Sequence, residues 1–169
     1  MSNIVVTCFE PFGGRTTNAS KEVVSLLSGY TIKELHVSWS KIPCLIKEIL
    51  SSNPDYLFLV GEAGSYKEIT IERTAHNISY GKDNEDVNRD NTLIIDGGPN
   101  ELTTKFDLSK LKYQISDNAG KYLCNYTYYL ALYYSLNTKV LFIHLPYIDN
   151  NLNNLKDNLS DIINTLTKQ

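Results

Sequence analysis

The sequence predicts an α/β fold in which parallel strands are joined by helical crossovers. Three observations carry this. The first 60 residues alternate strand, helix, strand, helix, strand. The run Tyr56-Leu57-Phe58-Leu59-Val60 is apolar on both alternating faces, as a central strand covered from two sides must be. A second such run, Val140-Leu141-Phe142-Ile143, follows a long helical segment near the end of the chain. Strands and helices that alternate in this way build sheets with right-handed crossovers.

Taken in order, residues 3–9 form a short β-branched strand closed by Pro11 and Gly13-Gly14. Val23, Val24, Leu26 and Leu27 then recur at helical spacing, with Asn18 or Ser20 as the cap and Gly29 as the stop. Ile32 to Val37 is a second strand. Ser38-Trp39-Ser40 opens a helix whose apolar stripe is Ile42, Leu45, Ile46, Ile49 and Leu50, with Pro43 in the tolerant first turn. Asn53-Pro54-Asp55 ends it before the strand at Tyr56. Ile69 to Ile78 is extended in character, and residues 80–100 read as a polar loop ending in Gly97-Gly98-Pro99. Lys112 to Ser116 offers one more strand. A helix is expected from about Tyr122 to Leu136, a buried strand from Lys139 to Ile143, and a closing helix from Leu152 to Leu166. No repeat or linker interrupts this series, so one domain over residues 1–169 is expected.

Composition narrows the class of function. The chain has 16 basic and 19 acidic residues, a net charge of -3, and 42% hydrophobic residues. That is too apolar for a disordered chain, and without a long basic run it is a poor partner for nucleic acid. Apolar runs fall far short of the ~18 residues of a membrane helix. The start, Met-Ser-Asn followed by Ile4-Val5-Val6, does not read as a secretory leader. Three cysteines, Cys8, Cys44 and Cys124, are odd in number and lack metal-ligand spacing, which suits free thiols in a reducing cytoplasm. The expectation is a cytoplasmic protein with no membrane association, no metal and no cofactor.

Chemistry in open α/β sheets gathers beyond the carboxyl ends of the strands. Phe9-Glu10-Pro11-Phe12-Gly13-Gly14 follows the first strand, Gly61-Glu62-Ala63-Gly64 the third, and His144 the strand ending at Ile143. Cys124 lies one turn past Asn118-Ala119-Gly120, where a helix start lowers a thiol's pKa. His144 is the nearest imidazole in sequence, and Glu72, on the face opposite Ile69 and Ile71, could orient it. Each also has a plain structural alternative. Aromatics beside a Pro-Gly turn pack, Gly61 and Gly64 suit a turn, a helical cysteine is a small hydrophobe, and Glu72 could be a salt-bridged strand residue. Spacing alone leaves these open.

Four blocks in one order carry a resemblance: Phe9-Glu10-Pro11-Phe12-Gly13-Gly14 with Asn18; Gly61-Glu62-Ala63-Gly64 leading to Glu72-Arg73-Thr74-Ala75-His76-Asn77; Ala119-Gly120-Lys121-Tyr122-Leu123-Cys124-Asn125; and Phe142-Ile143-His144-Leu145-Pro146-Tyr147. The chain resembles the pyroglutamyl peptidase I family, also called pyrrolidone-carboxylate peptidases. The resemblance implies a three-layer α/β/α sandwich on a twisted, mostly parallel mixed sheet, phosphorylase/hydrolase-like. It implies a cysteine exopeptidase that removes N-terminal pyroglutamate, and a homo-oligomer, dimer or tetramer. It assigns Cys124 as nucleophile, His144 as general base and acid, and Glu72 as the orienting carboxylate. It places Phe9, Phe12 and Asn18 around the pyroglutamyl ring, with Glu62, Tyr122 and Leu123 at positions where the family usually has Gln, Phe and Val.

Other departures are the loss of an arginine around Ser65-Tyr66-Lys67, a short loop before Asp83 with Lys82 as its nearby cation, and too few residues between Leu108 and Tyr113 for a crossover helix. They leave two alternatives: a catalytically impaired relative that binds a ligand or partner, or a cysteine amidohydrolase with a different cyclic or acylated substrate. Tyr126, Tyr128, Tyr129, Tyr133 and Tyr134 cover more than one face of a helix, which favours self-association.

Overall fold

The computed structural model describes residues 1–147 and 151–168. Six strands form one mixed sheet in the order β2 (Thr31–Leu35), β1 (Ile4–Phe9), β3 (Tyr56–Glu62), β10 (Lys139–Leu145), β4 (Thr70–Glu72) and β9 (Gln114–Ser116). The first four run parallel. β4 lies antiparallel to β10, and β9 runs parallel to β4. Helices α2 (Ile42–Ser51) and α3 (Leu123–Tyr134) cover one face, and α1 (Ala19–Val24) and α4 (Leu152–Thr167) the other. This is the three-layer arrangement expected.

The sheet core explains the apolar runs. In β3 and β10, residues alternate between two buried clusters, Leu57, Leu59, Val140 and Phe142 toward α2 and α3, and Phe58, Val60, Leu141 and Ile143 toward α1 and α4. The stripe of α4 buries Leu159, Ile162, Ile163 and Leu166 completely. Each such side chain contributes roughly 1.5–3 kcal/mol of gross transfer free energy.

The crossover into β9 has a different solution from a helix. Between β8 (Glu101–Thr103) and β9 the chain passes across the α1/α4 face without a helix, and buries Phe106 and Leu108 there. Phe106 stacks on Phe58 and Tyr56, with centroids 5.4 and 5.8 Å away. Two aromatic contacts and a leucine thus cover the surface a crossover helix would otherwise cover.

Residues 80–100 are not simply a loop. β6 (Ser79–Lys82) and β7 (Asn88–Thr92) make an antiparallel hairpin, and β5 (Thr74–His76) pairs with β8. The β7 sequence Asn-Arg-Asp-Asn-Thr is almost wholly exposed, so no apolar alternation betrays it. The hairpin turn is held by Asp83, whose carboxylate accepts from the amides of Glu85, Val87 and Trp39.

The tyrosines of α3 are also explained largely within the chain. Tyr126, Tyr128 and Tyr129 are buried, and their hydroxyls donate to the carbonyls of Trp39, Glu72 and Pro99 at 3.1, 2.9 and 2.7 Å. The β5–β8 ribbon and the segment before it cover the faces of α3 that the main sheet leaves open. Tyr133 remains exposed.

Candidate active site

A cleft of about 390 Å³ opens at the carboxyl ends of β1, β3 and β10, against the start of α3. Eight of the nine site residues expected from sequence line it: Phe9, Phe12, Asn18, Glu62, Tyr122, Leu123, Cys124 and His144. The ninth, Glu72, lies behind His144 and is fully buried.

The β10 register sets the imidazole. His144 faces Gly61 on β3 and Thr70 on β4, and Phe142 faces Glu72. Residues two apart on neighbouring strands share a face, so Glu72 and His144 meet diagonally. His144 Nδ1–H donates to Glu72 Oε1 at 2.8 Å. A carboxylate oxygen here accepts, so the proton sits on Nδ1 and Nε2 remains the acceptor. Tyr66 OH donates to the same Oε1 at 3.0 Å, and its ring lies 5.7 Å from the imidazole. Glu72 Oε2 is buried with no partner among the described residues, so compensation of this carboxylate falls on Oε1.

Cys124 is the second residue of α3, after Gly120 has turned the chain at φ +83°. The next residue, Asn125, is fully buried and fixes the turn: its side chain accepts from the His76 amide and donates to the carbonyls of His76 and Ile78, all at 2.9 Å. The thiol therefore rests over β3 at Gly61, where an added Cβ would stand 2.9 Å from Sγ and 2.7 Å from Phe142 Cζ. Only glycine admits this approach. Gly61 pairs with His144, so the thiol rests over the strand residue next to the imidazole's own, and both side chains line the same cleft.

One electrostatic expectation is overturned. Burial, and then the charges of Glu72 and Glu62, push the Cys124 thiol up to about 12. The helix start does not by itself lower this thiol, because desolvation and two nearby carboxylates outweigh it.

The opposite wall is aromatic. Phe9 ends β1, and Phe12 packs on Tyr122 at 6.0 Å between centroids. Tyr122 stands edge-on to Trp39 at 5.5 Å and donates its hydroxyl to the Lys82 carbonyl at 2.7 Å. Asn18 caps α1: Oδ1 accepts from the Ser20 amide and hydroxyl, which leaves Nδ2 without a partner among the described residues. Glu62 is ion-paired to Arg15 and accepts from the Ala19 amide at 2.6 Å. Arg15, not Lys82, is thus the cation at this wall, and Lys82 pairs instead with Asp86.

Arg15 and Tyr66 were not among the residues picked out from sequence. For Tyr66 the available signal was its place in the loop after Gly61-Glu62-Ala63-Gly64. For Arg15 it was the sole charge in the turn after Gly13-Gly14, able to answer an acid in the site. Among the described residues no cluster of three or more His, Cys, Asp or Glu could hold a metal, and no helix is long and apolar enough to cross a membrane.

Comparison with known proteins gives a consistent picture. Residues 2–163 match the family model described as pyroglutamyl peptidase. The pyrrolidone-carboxylate peptidase of Enterobacter sp. (strain 638) is 34% identical over 170 residues, which is 88% of this chain and 79% of the relative. That of Alkaliphilus oremlandii is 32% identical over 190 residues, 97% of this chain and 89% of the relative. Among solved structures, the pyrrolidone carboxyl peptidase of Fervidobacterium islandicum superposes with a TM-score of 0.84 at 28% identity, covering 98% of each chain. A mutant pyrrolidone carboxyl peptidase from Pyrococcus furiosus gives 0.88 at 25% identity, again over 98% of each chain.

Proposed function

This chain belongs to the pyroglutamyl peptidase family, and from that premise we propose that it is a cysteine exopeptidase releasing N-terminal pyroglutamate from peptides, with Cys124 as nucleophile, His144 as base and acid, and Glu72 as the carboxylate that orients the imidazole. The observation that carries the reading is the buried 2.8 Å contact between His144 Nδ1 and Glu72, beside a thiol seated over Gly61 in the same cleft. Neither a purely binding role nor a different cyclic substrate is favoured over the activity of the family.

The chemistry is acyl transfer. As Sγ attacks the pyroglutamyl carbonyl carbon, His144 Nε2 takes the thiol proton, which suits a thiol held neutral at rest. The imidazolium so formed keeps its Nδ1–H on Glu72 and is stabilised by that charge. The tetrahedral oxyanion lies against the first turn of α3, whose leading amides have no intrahelical partner, that of Cys124 among them. The C–N bond breaks as His144 returns the proton to the leaving amine, giving a thioester. Water then attacks with His144 as base, and the thiol is regenerated with release of pyroglutamate.

Phe9, Phe12, Tyr122 and Leu123 supply flat apolar walls for an uncharged ring, while Asn18 Nδ2 and Glu62 offer one donor and one acceptor to its C=O and N–H. A single hydrolytic domain, a cytoplasmic location and a dimeric or tetrameric homo-oligomer belong to the same proposal. Exposed Tyr133 and Leu136 near the end of α3 support self-association, which light scattering tests.

The direct test is turnover of a fluorogenic pyroglutamyl amide. Activity is expected in the wild type and should fall to background in Cys124→Ala. Equal rates for the two folded proteins would overturn the assignment.

A further inference from the structure

Glu62 is a carboxylate of the cleft wall that takes no part in the proton transfers above. Its side chain is 2% exposed and ends β3, one residue after the glycine on which the thiol rests. Arg15 Nη1 donates to Oε1 of its carboxylate, Nη2 reaches Oε2 at 3.4 Å, and the Ala19 amide holds Oε2 at 2.6 Å. Arg15 is itself fixed from the far side, its guanidinium lying 4.6 Å over the Tyr147 ring. A two-pronged pair of this kind confines a carboxylate to one plane and one orientation.

Two consequences follow. A clamped carboxylate can only accept, so a ring that brings N–H to it gains a bond, whereas a ring bringing oxygen meets a lone pair. An unpaired negative charge one residue from Gly61 would also oppose, more strongly than the paired one does, every state in which sulfur or the attacked oxygen becomes negative, and Arg15 offsets part of that charge.

We propose that Arg15 is a positioning residue for specificity: by clamping Glu62 it sets a partly charge-compensated acceptor in the cleft wall that selects rings carrying N–H, and it limits how far that carboxylate opposes negative charge at Cys124. The selectivity half rests on the pyroglutamyl reading of the cleft. The charge half does not.

The test uses purified full-length wild type, Arg15→Ala, Arg15→Lys, Glu62→Gln and the double variant Arg15→Ala/Glu62→Gln. The first readout is kcat/KM for a pyroglutamyl aminomethylcoumarin amide and for its lactone isostere, in which oxygen replaces the ring N–H. Wild type should favour the lactam by about 100-fold or more, because a site built to bond an N–H rejects the analogue lacking it. Arg15→Ala should lose about tenfold on the lactam and narrow that preference, equivalent to one charge-assisted hydrogen bond.

The second readout is iodoacetamide alkylation of Cys124, resolved by mass spectrometry from exposed Cys44. Arg15→Ala should slow it about three- to tenfold at neutral pH, and adding Glu62→Gln should restore it. Arg15→Lys keeps the charge and loses the fork, so alkylation should persist while lactam preference falls, a pattern partial unfolding would not give. An Arg15→Ala protein within twofold of wild type in both readouts overturns the proposal, as does failure of Glu62→Gln to restore alkylation. Hydrolysis of neither substrate by wild type overturns the pyroglutamyl reading and the selectivity claim with it, while alkylation still judges the charge claim.

Discussion

Gly61→Ala tests whether the thiol sits where the catalytic reading needs it. The new Cβ would lie 2.9 Å from Cys124 Sγ and 2.7 Å from Phe142 Cζ. Ordinary carbon contacts begin near 3.5 Å, so about 0.6 Å of movement is demanded on one side and about 0.8 Å on the other. Phe142 is fully buried between the rings of Phe9, Tyr128 and His144 and has nowhere to go. The first turn of α3 must therefore lift, and the thiol with it. Overpacking costs ~1–3 kcal/mol, offset in part by the ~0.4–1 kcal/mol that Gly→Ala gains by restricting the unfolded chain. The net of about 0–2.6 kcal/mol lowers Tm by up to roughly 7 °C for a domain of this size.

The catalytic loss should be larger in proportion, since a 1 Å misplacement of a reacting group costs on the order of 100-fold. We expect kcat/KM on a pyroglutamyl coumarin amide to drop about 10- to 100-fold, measured on the same preparations used for thermal unfolding. Gly64→Ala is the control, because its Cβ would meet nothing within 4 Å. Gly61→Ala activity within twofold of wild type would refute the placement of Sγ over β3.

Glu72→Gln keeps the size of the side chain and removes the charge that steadies the imidazolium, so kcat should fall at least about 100-fold. Tyr66→Phe removes one of the two donors on Glu72 Oε1 and should cost about three- to tenfold in kcat with KM nearly unchanged; steady-state kinetics on both variants checks the order of the losses. Alkaline stability should report Cys8, whose thiol burial, and then Glu34, push up from 9.0 to about 11 while Lys21 pulls the other way. The folded value lies above the unfolded one, so the stabilisation is complete below about pH 9. It is lost by about 1.4 kcal/mol per pH unit as pH rises toward 11. Urea unfolding from pH 8 to 10.5 in a Cys124→Ala background should show this slope, and Cys8→Ala should flatten it.

The fold was legible wherever burial writes itself into the pattern. β1, β3 and β10 are covered on both faces and read as apolar runs, and α2 and α4 each carry one stripe. The β6–β7 hairpin was not legible, because its second strand is exposed and polar and its register is set by the Asp83 turn rather than by side-chain alternation. Nor could the direction of β4 be read. A three-residue strand has the same pattern either way, and it is the pairing of Ile71 with Ile143 that fixes it. In the site, strand ends and a helix start made Cys124, His144 and Glu72 candidates, and the four-block resemblance singled them out. Arg15 and Tyr66 reach their partners from loops, where turn geometry rather than periodicity decides direction.

The short stretches that set this chain apart bear on its packing more than on its chemistry. The residues of the proposed reaction come from β4, β10 and the start of α3, and the segment between β8 and β9 contributes none of them. Its Phe106 and Leu108 cover the sheet there. The short loop before Asp83 does approach the cleft, but through a defined contact: Gly81, at φ +112°, lets the Tyr122 ring come so close that an added Cβ would stand 2.9 Å from it, and the Tyr122 hydroxyl binds the next carbonyl. Tyr122 in turn packs on Phe12 and Trp39, and Trp39 bonds the hairpin through its amide to Asp83 and its indole N–H to the Val87 carbonyl, so the hairpin is tied to the aromatic wall by both rings. The β9 edge is therefore covered by an irregular segment, while the cleft floor, its oriented imidazole and its aromatic wall are supported by the sheet.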